Sequence, residues 1–343
     1  MTPFPRFVPV IAAMAMCAAA APATPTAAGA SEPVATFSIA GRDSATGDLG
    51  VAVQSRFFAV GSVVPWARAG VGAIATQALA NTTFGPDGLD LLARGHTPEA
   101  TLLELLAPDK DRDRRQVGIV DAHGASVNFT GRQCMSWAGG HRGADYTVQG
   151  NILVSQATVD SMAAAFEATS GTLGERLMRA LEAGQAAGGD SRGMESAAIL
   201  IVRKGGGYGG WNDRYCDLRV DDSREPIKEL RRLFDIWQGQ ALVLEGYKFV
   251  ERAEWDRAFA DGEAAIRLHP ADGEPYYDLA CYYSRAGRKA DALARLAAAL
   301  SRDPALAARA RADTDFQPLS SDADFMKLVG PAPAGGTPES AGH

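Results

Sequence analysis

Lysine is absent from the first third of this chain, with none before Lys110. That excludes a lysine base on the early strands; an arginine there can hold charge but cannot give up its proton. Positive charge is also short: 34 Lys and Arg stand against 41 Asp and Glu, a net charge of −7, so no nucleic-acid footprint is expected. Cysteine is scarce, and the spacing of Cys17, Cys134, Cys216 and Cys281 rules out a zinc finger or ribbon. If Cys17 leaves with a leader, at most one disulfide can form, with Cys134–Cys216 the pair if oxidised and three buried thiols the alternative. His96, His123 and His141 stand singly, without an HExxH pattern, so no metal site is expected. Residues 205–210 formally spell GxGxxG but lead into a strand-like segment, not a helix, so no dinucleotide or other cofactor is implied.

Long apolar runs are absent too. Residues 7–21 form the longest, too short for a membrane span. Preceded by Arg6 and followed by a Pro/Ala/Thr stretch ending Ala28-Gly29-Ala30, this run has the anatomy of a signal peptide over residues 1–30. The alternative is a disordered Ala/Pro leader. Export to the periplasm or beyond is the expectation, with no lipid anchor at Cys17. Cleavage after Ala30 leaves residues 31–35 as a short leader. Cleavage after Ala35 exposes Thr36, although Pro33 breaks the small-residue pattern.

What is present begins with an alternating hairpin, residues 37–41 and 49–55, turned through residues 43–48 with Gly47. Strands are predicted at 71–77, 116–121, 126–130, 146–154, 197–204 and 215–220. Helix pairs are predicted at 86–94 and 98–107, with prolines where a helix start tolerates them, and at 155–169 and 173–187. Periodicity alone gives an α+β protein. Beyond the polar joint at 221–226, composition shifts to Ala, Arg, Asp and Glu at helical spacing. A 34-residue repeat pairs Gly239 with Gly273, Ala258 with Ala292, Ala265 with Ala299 and Pro270 with Pro304. This is the tetratricopeptide (TPR) pattern, specific in its second copy and degenerate in its first, where Gly262 replaces a large apolar residue. The expected organisation is a domain over 36–237, a TPR-like helical module over 238–329 and a disordered tail over 330–343.

Thr36-Phe37-Ser38-Ile39-Ala40-Gly41-Arg42-Asp43, the block Gly72-Ala73-Ile74-Ala75-Thr76-Gln77-Ala78 with Asn81, and Val148-Gln149-Gly150-Asn151-Ile152-Leu153 together resemble the family called domain of unknown function 1028. The likeness runs from about Thr36 to Trp237. That family is grouped with the N-terminal-nucleophile (Ntn) hydrolases, so the resemblance implies a four-layer αββα sandwich. It also implies a catalytic Thr36 whose own α-amine, titrating near ~7.7–8.0, serves as base. The alternative is an ordinary strand threonine, with Ser38 a fallback nucleophile on the same strand face. Asn151 and Gln77 are the oxyanion candidates. Arg42, Asp43, Gln54, Arg56, Asn81, Gln149, Asp190 and Arg192 are candidate substrate contacts, Asp43 and Asp48 being equally the chemistry of a turn.

The expected activity is hydrolysis of an amide bond in a small molecule or peptide. Its rivals are a non-catalytic fold that binds a protein partner in the TPR groove and an oligomeric binding protein for a small acidic or amide metabolite.

Overall fold

The computed structural model describes residues 36–331. The signal-peptide and leader expectations, and most of the expected tail, lie outside these residues. No helix among the described residues is long and apolar enough to cross a membrane.

Among the described residues, ten strands form two antiparallel sheets. The larger has the order β10 (Arg214–Val220), β9 (Ser196–Val202), β2 (Leu49–Ser55), β1 (Thr36–Arg42), β8 (Tyr146–Asn151), β7 (Gly139–Gly143). The smaller has the order β3 (Pro65–Arg68), β4 (Gly72–Ala78), β5 (Arg115–Asp121), β6 (Ser126–Thr130). β1 is central because its alternation buries both of its faces, as β-strand geometry allows. Phe37 and Ile39 join the core beneath α3 (Ala157–Ala168) and α4 (Leu173–Ala186). Ala40 joins the apolar layer between the sheets, with Leu49, Val51, Val53, Ala73, Ala75 and Val120. Ile74, Val117 and Ile119, on the outer face of the smaller sheet, pack against α1 (Phe84–Ala93) and α2 (Pro98–Leu106). Thr97 and Thr172 cap α2 and α4 by accepting from the Ala100 and Glu175 amides, each satisfying an otherwise orphaned N–H at a helix start.

The predicted elements are found, with small shifts at their ends, and two further strands appear. β3 starts on a proline, and β7, of sequence GGHRG, lacks any apolar alternation. Pairing, not propensity, makes them strands. The Cys134–Cys216 disulfide is a correction: both thiols are free. Cys216 is buried in β10 at one edge of the larger sheet, while the Cys134 thiol lies 3.4 Å from Arg115 O, at the start of β5 in the smaller sheet.

The C-terminal region is helical: α5 (Pro226–Glu251), α6 (Trp255–Leu268), α7 (Glu274–Arg285), α8 (Lys289–Arg302), α9 (Leu306–Ala312) and α10 (Ala323–Val329). α5 runs unbroken through position 237, where the sequence suggests a boundary. Its first half buries Ile227, Leu230 and Phe234 against the sheet-and-helix core, and Val250 near its end belongs to the helical core. Arg231 fastens the first half, at 2.6 Å from Glu175 and 2.7 Å from Glu182 on α4. α6 and α8 begin and end at positions offset by 34 residues, the spacing of the sequence repeat. Gly262 is explained by close approach, since a Cβ there would lie 2.8 Å from Leu279 Cδ1.

Candidate functional site at the polar end of the inter-sheet layer

The layer between the sheets changes character along its length. At one end, strand register lines up Asn151, Thr36, Ser55 and Ser196 in a row across four strands. One pleat further in, Ser38 stands opposite Gln149. The smaller sheet faces them with Gln77, Gln116 and Thr130, also in register. Thr36, Ser38, Ser55, Gln77, Gln116, Gln149 and Asn151 are all buried.

A buried polar group is costly unless bonded, and here nearly every donor meets an acceptor. Thr36 Oγ1 donates to Ser55 Oγ at 3.2 Å. Ser38 Oγ donates to Gln77 Oε1 at 2.6 Å and accepts from Gln149 Nε2 at 2.6 Å. Gln149 Oε1 in turn accepts from the Thr147 hydroxyl at 3.2 Å. Gln77 Nε2 donates to Gln116 Oε1 at 2.8 Å, and to the Thr36 and Gln149 carbonyls at 3.3 Å each. Asn151 Nδ2 donates to the same Gln116 Oε1 at 2.9 Å. Gln149 fits because position 118 is glycine: a Cβ there would sit 2.0 Å from Gln149 Oε1.

The backbone is strained at the same end. Ala78, directly after Gln77, has φ 64°, and Ile152, directly after Asn151, has φ 54°. The left-handed region is disfavoured for a β-branched residue, and such strain costs about 1–3 kcal/mol and gathers at functional sites. Ile152 is held there by its N–H on Met135 O at 3.0 Å and by the Ser191 N–H and hydroxyl on its carbonyl, both at 2.9 Å.

Three expected substrate contacts border this end. Asp190, its side chain fully buried, accepts from the Arg56 amide at 3.1 Å, the Arg192 amide at 2.9 Å and Arg192 Nη2 at 3.1 Å. Its acceptors are thus occupied. Arg56 also pairs with Glu195 at 3.4 Å. Gln54 is adjacent in sequence but points away from Thr36. It pairs in register with Phe37, on the face packed by helices, and neither atom of its buried amide has a partner.

The remaining candidates stand elsewhere. Arg42 and Asp43 lie at the opposite end of β1, where Arg42 Nη1 meets Asp145 at 2.6 Å. There Asp43 caps its own turn through the Ala45 and Thr46 amides. Asp48, at the end of that turn, forms a two-bond pair with Arg203 at 2.7 and 2.6 Å. Asn81 lines a cavity of about 530 Å³ beside α1 and α2. Asp109 lines it too: burial pushes its carboxyl up, but hydrogen bonds from Arg115, Asp111 and Asn81 outweigh this and hold it below its ordinary pKa.

Among the described residues, one group of side chains could meet a metal ion: Cys281, Asp313 and Asp315, in the helical region. Their acceptors are largely engaged, Asp313 by the Tyr277 hydroxyl at 2.7 Å and the Asp315 amide at 3.0 Å. Besides Ser55, Gln116 is a member of the polar cluster that sequence reasoning missed. Its signal is faint: an amide in an otherwise apolar run, at an alternation position facing inward.

These features define an α+β protein of two antiparallel sheets, closed at one end by a buried hydroxyl-and-amide network. The chain belongs to the family described as "Family of unknown function (DUF1028)", whose profile matches residues 36–230. It is similar to the crystal structure of protein SPO2555 from Silicibacter pomeroyi, of the same family. The two are 30% identical with a TM-score of 0.54, over 58% of this chain and 84% of that one. A comparison with curated proteins finds no match.

Proposed function

We propose that this chain is an exported N-terminal-nucleophile hydrolase of amide bonds, with Thr36 as nucleophile on a four-layer αββα sandwich. The observation that carries this is the placement of Thr36. It opens the central strand, faces the inter-sheet layer, and has Ser55 and Asn151 in register on its two sides.

The chemistry needs removal of the residues ahead of Thr36, which frees its α-amine. That amine titrates near ~7.7–8.0 and takes the hydroxyl proton at neutral pH. Thr36 Oγ1 then attacks the amide carbonyl, and an amide N–H of Asn151 receives the developing oxyanion. As the tetrahedral intermediate collapses, the C–N bond breaks and the leaving amine takes the proton from the Thr36 ammonium. Water attacks the resulting ester, and its proton returns to the Thr36 oxygen. The test is acylation of the processed chain by an alkyne-bearing β-lactone, which opens onto an N-terminal threonine. Labelling at Thr36, lost in Thr36→Ala, supports the proposal; labelling that survives Thr36→Ala contradicts it.

A second reading concerns the helical region. The 34-residue offset of α6 and α8 supports a TPR-like module. A groove of about 440 Å³ between α5 and α7, lined by Ile236, Val243, Leu244 and Pro275, suits a protein partner. Loss of a co-purifying partner on Leu244→Glu, with the fold retained, would support it; an unchanged set of partners would count against it.

A further inference from the structure

We infer that Gln116 is the positioning residue of this site, fixing the side-chain amide of Asn151 so that one N–H is turned toward the carbonyl Thr36 attacks; this rests on the Thr36 reading above.

The orientation of a side-chain amide follows from what its neighbours can do. Gln116 Nε2 lies 2.7 Å from Gly150 O and 3.2 Å from Gly139 O, and 2.9 Å from Thr130 Oγ1. Backbone carbonyls only accept, so the nitrogen of Gln116 must face them. Its Oε1 must then face Asn151 and Gln77, and an oxygen that only accepts requires their NH₂ groups to turn toward it. Polarity therefore passes in one direction, from two fixed carbonyls through Gln116 to Asn151.

The two amides that meet Gln116 differ in what they have left. Gln77 Nε2 has two hydrogens and three acceptors, and is fully engaged in tying β4 to β1 and β8. Asn151 Nδ2 also has two hydrogens, but a single acceptor among the described residues. Its second hydrogen is uncommitted, and Asn151 stands directly opposite Thr36 in register. Side chains so paired have Cβ atoms about 4.5–5.5 Å apart, which suits an oxyanion held between nucleophile and donor. Asn151 is thus the donor and Gln77 the strut. Without Gln116 the Asn151 amide is free to rotate and offer its oxygen instead.

The experiment uses the chain from Thr36 to His343, released from a ubiquitin fusion so that Thr36 comes first, with the alkyne-bearing β-lactone as probe and acylation followed by intact mass. Asn151→Ala is expected to slow acylation of Thr36 by about a hundredfold, the scale of one lost oxyanion donor. Gln116→Met should slow it by about tenfold to a hundredfold. The double variant should be no slower than Asn151→Ala, because a residue acting only through Asn151 has nothing to act through once it is gone. Effects that multiply in the double variant overturn the inference.

Should Gln116→Met fail to fold, Gln116→Glu decides the matter. A carboxyl buried there titrates high, and its neutral form both donates and accepts as glutamine does. Acylation within about threefold of the parent at the same mildly acidic pH supports the positioning role, and slowing as large as in Asn151→Ala contradicts it. If the parent chain itself is not acylated at Thr36, the nucleophile reading fails and the inference with it. That outcome is distinct from acylation with multiplicative effects, which sinks only the role of Gln116.

Discussion

The two ends of the inter-sheet layer are made largely by the same strands in opposite chemistry. One end is Ala40, Leu49, Val51, Val53, Ala73, Ala75 and Val120. The other is Thr36, Ser38, Ser55, Gln77, Gln116, Gln149 and Asn151. Only a pleat or two along each strand separates them. The apolar end needs volume and no particular orientation, since burial stabilises it without direction. The polar end contributes nothing by burial and is tolerable only while its bonds close. A fold needing stability alone would do as well with aliphatic side chains at both ends. The polar end, beside two residues in the left-handed region, is where the proposed chemistry is set.

This contrast can be broken deliberately. The largest effect expected is on chemistry: Thr36→Ala should abolish β-lactone labelling altogether while thermal unfolding stays near that of the parent. Next is stability at the apolar end, where Leu49→Ala should cost about 2–5 kcal/mol in denaturant unfolding. The folded fraction should keep its labelling rate. At the polar end, Gly118→Ala places a methyl against Gln149 and should cost about 1–3 kcal/mol. It should also slow labelling, because Gln149 is tied through Ser38 and Gln77 to the same network. If Leu49→Ala slows labelling of the folded fraction as much as Gly118→Ala, the division of labour between the two ends is wrong.

The smallest effect lies in the helical region and serves as a control. Burial pushes the Asp278 carboxyl up to about 6, with nearby Glu274 adding to it and Arg309 opposing. Its folded pKa lies above its unfolded value near ~3.9. Stability therefore falls as pH rises between those two values, and the penalty is complete above the folded pKa. Asp278→Asn keeps an acceptor for the Tyr247 hydroxyl, now 3.3 Å from Asp278 Oδ1. It should raise Tm by a few degrees at neutral pH, with the gain fading as pH falls toward ~4. A gain that persists at low pH would assign the effect to something other than this carboxyl.

Much of the architecture was legible because it rests on local pattern. The alternation of β1 and β2, the apolar run of β9 and the 34-residue helical spacing are written in consecutive residues. β3 and β7 were not, because proline and glycine carry no strand signal and their partners are remote in sequence. The expected boundary after position 237 falls inside α5 because its two halves pack on different cores, so no one stripe runs its whole length. The site divides in the same way. Thr36, Gln77, Gln149 and Asn151 sit within motifs that resemble the family's. Gln116 was missed because its part depends on Gly139, Gly150 and Asn151 meeting it across the layer. Nor does sequence alone reveal that Arg42 and Gln54, both near Thr36 in the first hairpin, end up at its far end and on its outer face.

The measurement that bears most directly on this account is the N-terminal residue of the protein recovered from its native compartment, by Edman degradation or intact mass. The account requires Thr36 in first place, with its amine free to act as base. A protein that begins at Ser31, five residues earlier, has no such amine, and would contradict the account of Thr36 as an N-terminal nucleophile.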